Sequence, residues 1–306
     1  MCLSARQRGM LFVLLAAVLY STGGLCMKLV PWGGVALNCG RCAIALAVYL
    51  IYFWIKGQKP KMNRWILLGA AAVCGTNVLF ALANKMTTAA NSIVLQYTAP
   101  IVVILLSARF LHRRATRLDL MACAVVFLGV VCFFVESLGG GRMAGDALAL
   151  LAGVAYAVVF LLNDIPEGDA VSSVFWGAVM SVAIGLPFLP EQPPLTGAAL
   201  GSMLFLGAAQ TGLAFLCLAI GLKTTPPVAA SLISGIEPVL NPVLVAVFYG
   251  ELMGPLSLLG AAVVVCGVVF YQLMLGRGEK AAQKTPPPSS CKSDNQIMIF
   301  ENTKEK

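Results

Sequence analysis

Residues 97 to 106 read YTAPIVVILL, and residues 235 to 244 read GIEPVLNPVL. Both stretches are apolar and carry a proline at the fourth position, so that Pro238 follows Pro100 by 138 positions. Proline inside a helix removes a backbone hydrogen bond. A proline at the same point of two similar apolar segments therefore indicates that the two segments are related.

Further matches occur in the same order along the chain. They are LLAAVLY at 14–20 with LLAGVAY at 150–156, LGAA at 68–71 with LGAA at 206–209, Lys85 with Lys223, and ACAVVFLGVV at 122–131 with GAAVVVCGVV at 260–269. The offset is 136 in the first pair and 138 in the others. Several matches at nearly one offset indicate an internal repeat. We place the first copy at 9–138 and the second at 145–276.

The composition places this repeat in a membrane. The chain is 59% hydrophobic and 11% charged, with a mean hydropathy of +0.88, whereas soluble domains average roughly 25% charged residues. A helix that crosses a bilayer needs about 20 apolar residues. Ten segments meet this requirement, at Gly9–Val30, Gly33–Ile55, Trp65–Asn84, Thr88–Ala108, Leu118–Val135, Ala147–Asn163, Ala170–Leu189, Gly197–Leu222, Pro227–Gly250 and Pro255–Gly276.

Each repeat contains five of these segments, and an odd number of crossings forces the second repeat to enter the membrane in the opposite orientation. We therefore predict an all-α integral membrane protein with ten transmembrane helices in two inverted-topology five-helix repeats. Many secondary transporters have this architecture, with the substrate site near the middle of the bilayer.

The loops predict the orientation, because short cytoplasmic loops are enriched in Lys and Arg. Most basic residues fall on one side, at Arg6, Arg8, Lys56, Lys59, Lys61, Arg64, Arg109, Arg113, Arg114, Arg117, Arg277, Lys280 and Lys284. Both termini are therefore expected in the cytoplasm, with the protein in the cell (inner or plasma) membrane. The polar segment 277–306 is expected to be a disordered cytoplasmic tail.

The net charge of +8 could suggest a nucleic-acid partner, but the basic residues border apolar segments, as the loop bias explains. The ten cysteines lie mostly in apolar segments, and the chain has a single histidine, so neither a metal site nor a cofactor is expected. A nucleotide-binding loop is also absent from the sequence. The expected partners are a small-molecule substrate and the lipid bilayer, and the sequence leaves a homodimer open.

The ninth segment contains the strongest candidate site. Ser231, Ser234, Glu237 and Asn241 would form one polar stripe on a continuous helix. Pro238 and Pro242 would leave the carbonyls of residues 234 and 238 unpaired, which is tolerated at membrane depth where they are buried in protein or line a water-filled cavity. An intramembrane carboxylate is also a functional hypothesis by default. The stripe therefore predicts a solute site, and a kinked packing helix is the alternative.

The fourth segment offers a counterpart. Pro100 would free the carbonyl of Gln96, and Gln96 and Tyr97 add an amide and a phenol. Tyr20 and Tyr156 recur at matching positions of the two repeats and could frame the same cavity, although packing tyrosines would give the same pattern.

Arg41 is the only basic residue in the interior of a predicted segment. Three roles are open to it: its side chain could extend to the membrane surface, pair with Glu237, or hold an anionic group of the substrate. Asn77 and Gln210 are weaker candidates, since single amides often bond one membrane helix to another.

The order of these motifs resembles the drug/metabolite transporter superfamily, in particular its EamA-type members with ten helices. The resemblance is carried by the paired LLAxxxY starts, Arg41, the Ala-Pro and Glu-Pro pairs, and Gly-Glu at 250–251. One departure is Arg113, which stands at the repeat position of Glu251, where members often carry another glutamate. The resemblance implies a transporter without ATP hydrolysis, with export the expected direction.

We therefore expect a secondary transporter of a small metabolite that works by alternating access, with proton coupling or exchange both open. The alternative is an integral-membrane enzyme acting on a lipid or isoprenoid substrate. Such enzymes usually need acidic or histidine clusters at an interface, whereas the acidic residues here are scattered. A channel would need a continuous polar pore. Glu237 is expected either to bind a cationic group of the substrate or to couple transport to protons.

Overall fold

The structure is a computed structural model that describes residues 4–111, 116–137, 143–165, 167–249 and 254–284. The described residues form helices and connecting turns, without strands. A large compact unit ends at Tyr271, and a second unit begins at Gln272. The prediction of an all-α protein is confirmed.

Fourteen α-helices are present in the described residues. They are α1 (Ala5–Ser21), α2 (Gly23–Leu29), α3 (Gly34–Lys56), α4 (Arg64–Met86), α5 (Ala89–Gln96), α6 (Ala99–Phe110), α7 (Arg117–Ser137), α8 (Met143–Phe160), α9 (Ala170–Gly185), α10 (Gly197–Phe205), α11 (Ala214–Gly221), α12 (Pro227–Ile233), α13 (Glu237–Tyr249) and α14 (Pro255–Lys284).

Seven helices in the described part of the chain are long and apolar enough to cross a membrane, judged by length and composition. They cover Ala5–Leu29, Gly34–Lys56, Arg64–Met86, Asn91–Phe110, Met143–Phe160, Ala170–Phe188 and Gly197–Gly221. The other three predicted segments coincide with α7, with α12 and α13, and with α14. That these three also cross the membrane stays a prediction.

Helix α14 continues to Lys284, whereas the predicted segment ended at Gly276. The first part of the predicted tail is therefore helical as far as Lys284. Residues 285–306, where the rest of that prediction falls, lie outside the described residues.

The helices pair in a pattern that a two-fold relation between the halves would produce. Helix α1 packs against α11, and the repeat-related helix α8 packs against α4. Helix α3 packs against α9, and the α5–α6 pair packs against the α12–α13 pair. Helices α7 and α14 approach closely through glycines: a Cβ on Gly129 would lie 2.7 Å from the Gly260 carbonyl, and one on Gly267 would lie 2.6 Å from Val125.

The loops also meet in the order expected of inverted halves. Trp32 Nε1 donates to the Pro193 carbonyl at 2.8 Å, which joins the loop between α2 and α3 to the loop before α10. Asn63 Nδ2 donates to the Glu167 carbonyl at 2.9 Å, which joins the loop before α4 to the loop before α9. The first loop of one half therefore meets the second loop of the other half, at each of two separate places.

Four interruptions in the helices shape the centre of the molecule. The chain bends at Thr22 between α1 and α2, turns at Tyr97–Thr98 between α5 and α6, and forms a 3₁₀ turn at Ser234–Ile236 before α13. A π-helical segment, Leu206–Leu213, joins α10 to α11. Short π segments inside α-helices are rare and frequently occur at functional sites.

The bend at Thr22 was not predicted, since Gly9–Val30 reads as one apolar segment. Ser21 Oγ donates to the Val18 carbonyl at 2.6 Å, and Thr22 Oγ1 donates to the Leu19 carbonyl at 2.7 Å. Serine and threonine bonds of this kind compete with the helix backbone and bend the helix. Two glycines follow immediately, so a bend at this point is tolerated.

Candidate functional site

A small, partly open cavity lies among the interrupted helices. Helices from both halves contribute to its walls. The lining residues are Tyr20, Arg41, Thr76, Asn77, Phe80, Gln96, Tyr156, Gln210, Phe215 and Glu237. Five of the eight side chains predicted for the site, Tyr20, Arg41, Gln96, Tyr156 and Glu237, therefore line one cavity.

Arg41 is 1% exposed and is held by neutral groups. Its Nε donates to Asn38 Oδ1 at 3.0 Å, and its Nη1 donates to Gln210 Oε1 at 3.3 Å. Its Nη2 donates to the backbone carbonyl and to Oδ1 of Asn77, both at 3.0 Å. The guanidinium stays charged in proteins, so these bonds place a fixed positive charge beside the cavity.

This geometry bears on two of the three roles that the sequence left open for Arg41. The side chain is buried and bonded inside the molecule, so it does not extend to the membrane surface. Within the described residues, no ion pair joins Arg41 to Glu237. That Arg41 holds an anionic group of the substrate stays a prediction.

Glu237 begins helix α13 and is 7% exposed. The carboxylate lines the cavity, and among the described residues no hydrogen bond or ion pair satisfies it. A buried carboxylate without a partner costs free energy, because the ion gives up its water. Glu237 thus presents an acceptor to whatever occupies the cavity.

Tyr20 and Tyr156 meet in the cavity wall, although they stand in different halves. Their rings are 6.3 Å apart in an edge-to-face arrangement, and Tyr20 also packs edge-to-face on Phe215 at 5.1 Å. Both hydroxyl oxygens are buried without a hydrogen-bond partner in the described part of the chain. Repeat-related tyrosines therefore supply two further polar groups beside Glu237.

Gln96 lies at the end of α5 and lines the cavity, and Pro100 stands in the first turn of α6. The backbone carbonyl of Gln96, predicted to be free, lies directly against Gly153 of α8, where a Cβ would come within 2.6 Å of the oxygen. Tyr97 is not among the lining residues. Its hydroxyl donates to the carbonyls of Ser231 at 2.7 Å and Leu232 at 3.1 Å, so it joins the interrupted helices of the two halves.

The polar stripe predicted for the ninth segment is divided by the 3₁₀ turn. Ser231 and Ser234 donate to carbonyls of their own helix, at Val228 (2.9 Å) and Ala230 (3.1 Å). Asn241 Nδ2 donates to the Ser21 carbonyl at 2.6 Å, beside the bend at Thr22. Of the stripe, only Glu237 is among the residues lining the cavity. Substrate contacts by Ser234, Asn241 and Tyr97 stay predictions.

The expectation of a free carbonyl at Ser234 is wrong. Pro238 cannot donate to that oxygen, as predicted, but the 3₁₀ turn brings the Glu237 N–H to it instead. In a 3₁₀ turn each N–H donates to the carbonyl three residues earlier, whereas in an α-helix it donates to the one four residues earlier. The N–H of Glu237 therefore takes the place of the donor that Pro238 lacks. Pro238 is therefore the second residue of α13, in the first turn, where backbone N–H groups have no partner within the helix. Pro242 continues within α13, and the freed carbonyl predicted there stays a prediction.

Sequence reasoning gave too little weight to Gln210 and Asn77, two of the three amides that hold Arg41. A signal was available at Gln210. The repeated LGAA stretches are followed by Ala72 in one half and by Gln210 in the other. A polar residue that occurs in only one copy of an apolar repeat indicates a position at which the two halves differ in function.

The fold and the cavity define a helical membrane protein with a charged central cavity between two related halves. The EamA-like transporter family model matches residues 7–135 and 143–272. The chain belongs to the EamA-like transporter family, and its two matched segments confirm the internal repeat.

Relatives agree with this assignment. The chain is 30% identical to the uncharacterized transporter YwfM of Bacillus subtilis over 85% of this chain and 92% of that protein. It is 25% identical to the threonine/homoserine exporter RhtA of Escherichia coli K12 over 88% of this chain and 92% of that protein. A solved crystal structure with 20% sequence identity shares the fold, with a TM-score of 0.71 over 88% of this chain and 98% of the other. The protein is a multi-pass membrane transporter of the drug/metabolite type.

Proposed function

We propose that the protein is a secondary exporter of small zwitterionic metabolites of the amino-acid type, working by alternating access. The cavity carries this proposal, since it presents a positive and a negative side chain that are not paired with each other. The substrate's carboxylate would accept from Arg41, and its ammonium group would donate to Glu237.

Neither Arg41 nor Glu237 has an oppositely charged partner among the described residues, which supports a charged ligand. Arg41 is bonded to amides and a carbonyl, and Glu237 has no bonded partner in the described residues. Charged groups at low dielectric interact strongly with an opposite charge, so each is well suited to one end of a zwitterion. A substrate that bridges them would also connect the two halves, because Arg41 belongs to the first and Glu237 to the second.

The exporter relative supports the direction and the class of substrate. RhtA is named for the export of threonine and homoserine, which are amino acids. Export from the cell would require the cavity to load from the cytoplasm. We propose a location in the cell membrane with both termini cytoplasmic, which the loop charges support.

Glu237 also offers a route for coupling. If the cavity is wet when open and dry when closed, a carboxyl group in its wall can take up a proton in one state and release it in the other. Substrate binding and proton coupling could then use the same side chain in turn.

Reconstitution in proteoliposomes tests the proposal. We expect radiolabelled L-threonine to exchange across the membrane in counterflow, without ATP, and L-threoninamide, which lacks the carboxylate, to compete weakly. Empty liposomes serve as the control. A purified protein that moves none of a panel of amino acids, yet moves uncharged or purely cationic solutes, would contradict the proposed substrate class.

A further inference from the structure

Within the described part of the chain, one N–H of Arg41 has no protein acceptor. A guanidinium carries five N–H donors. The Nε donor goes to Asn38, both Nη2 donors go to Asn77, and one Nη1 donor goes to Gln210. The remaining N–H is on Nη1, the nitrogen that Gln210 holds.

Gln210 is fixed from several directions. Its Oε1 also accepts from Thr211 Oγ1 at 3.1 Å, and its Nε2 lies against Gly23, where a Cβ would come within 2.8 Å. The π-helical segment that carries Gln210 packs closely on α3, since a Cβ on Gly207 would lie 2.9 Å from the Arg41 carbonyl. The amide oxygen that accepts from Arg41 is therefore held in place by the surrounding backbone.

The bond between Arg41 and Gln210 has no counterpart at the repeat-related positions. The repeat position of Gln210 is Ala72, which lies in the uninterrupted helix α4. The repeat positions of Arg41 fall at 177–179, which read GAV and carry no charge. A feature required only by the shared fold would be expected in both halves.

We propose that Gln210 is a positioning residue, which turns the last free N–H of Arg41 towards the cavity and keeps the guanidinium from pairing with Glu237. Opposite charges lining one cavity attract, and an ion pair between them would leave neither for the substrate. A neutral amide holds the guanidinium without neutralising it. This inference rests on the proposed function, because it concerns the same cavity and the same substrate carboxylate.

The test compares two probes that differ at the carboxylate, L-threonine and L-threoninamide. Binding of each is measured by isothermal titration on the full-length protein in detergent. The wild type is expected to prefer L-threonine. Gln210→Glu gives Arg41 a fixed counter-ion, so the preference should fall about ten-fold or more, which is the size of one charge-assisted hydrogen bond. Binding of L-threoninamide should change little.

Gln210→Leu is a second variant in case the first does not fold. It removes the acceptor that fixes Nη1, so the preference for the carboxylate should again fall. Asn84→Ala is the matched control, since Asn84 is a buried amide that bonds Ser92 and does not line the cavity. It should keep the wild-type preference.

The outcomes separate the two proposals. A wild type that binds neither probe contradicts the proposed function, and this inference fails with it. A wild type that prefers L-threonine, with Gln210 variants that weaken both probes equally and keep the ratio, leaves the proposed function standing. That second result would show that Gln210 is structural and would overturn this inference.

Discussion

At the scale of single residues, the cavity is lined by tyrosines that occur in both halves and by charged side chains that occur in only one half. Tyr20 and Tyr156 occupy matching repeat positions and meet each other. Glu237 has Ala99 at its repeat position, so the acidic group occurs in one half only. The halves can thus share a fold while the cavity between them distinguishes the two ends of a substrate.

Glu237 provides the test at this scale. Glu237→Gln keeps the shape of the side chain and removes its charge, so it should leave folding and insertion near normal. Transport of L-threonine in proteoliposomes should be abolished, or should lose its dependence on the pH gradient, because the ammonium or proton acceptor is gone.

Glu167→Gln is the matched control, because it makes the same chemical change away from the cavity. Glu167 is exposed in the loop before α9. It should transport as the wild type does. A Glu237→Gln variant with the parental rate and an unchanged pH profile would show that Glu237 is structural.

At the scale of helices, two repeat-related contacts close opposite ends of the bundle. Gly9 of α1 lies against Thr224 and Thr225, and Gly145 of α8 lies against Met86 and Thr87. A Cβ on Gly145 would lie 2.9 Å from backbone atoms of both neighbours, whereas a Cβ on Gly9 would meet the two threonine hydroxyls first and the Gly221 carbonyl at 3.0 Å. Side chains can rotate away, but packed backbone cannot.

We therefore expect Gly145→Ala to destabilise the protein by about 1–3 kcal/mol, the usual cost of overpacking. Gly9→Ala should cost less. The measurement is the thermal unfolding midpoint of the purified protein in detergent. Gly201→Ala is the control, because nothing lies within 4 Å of a Cβ at that position. Alanine also stabilises a helix more than glycine does. Equal midpoints for Gly145→Ala and Gly201→Ala would contradict this packing argument.

At the scale of the whole molecule, the loop contacts and the loop charges predict the same topology. Trp32 joins the first loop to the loop at Pro193, and Asn63 joins the loop before α4 to the loop at Glu167. These contacts put each first loop beside the other half's second loop, as inverted halves require. The basic loop at Lys61 is expected on the cytoplasmic side.

Cysteine labelling checks this topology in intact cells. In chains whose native cysteines are replaced, Glu191→Cys should react with a membrane-impermeant maleimide added outside, and Lys59→Cys should react only after the cells are opened. Both side chains are exposed, so a difference in labelling reports the side of the membrane. Labelling of Lys59→Cys alone in intact cells would reverse the proposed orientation.

The sequence by itself determined the membrane class, the repeat and the family, and it marked the helix interruptions beside Pro100 and Pro238, although Pro242 lies within α13. These features follow from composition and from matches at a fixed offset, which are legible along the chain. Glu237, Arg41 and the paired tyrosines could be selected for the same reason, because polar groups in apolar segments are conspicuous.

Only the tertiary structure decided which polar groups face the cavity and what holds them. The 3₁₀ turn at Ser234–Ile236 divided a stripe that looks continuous on an ideal helix, and it paired a carbonyl that the proline was expected to free. Arg41 and Gln210 are 169 positions apart, so neither sequence neighbourhood reveals their bond. Local patterns report which residues share a helix, whereas the packing of distant helices determines the partner of each buried charge.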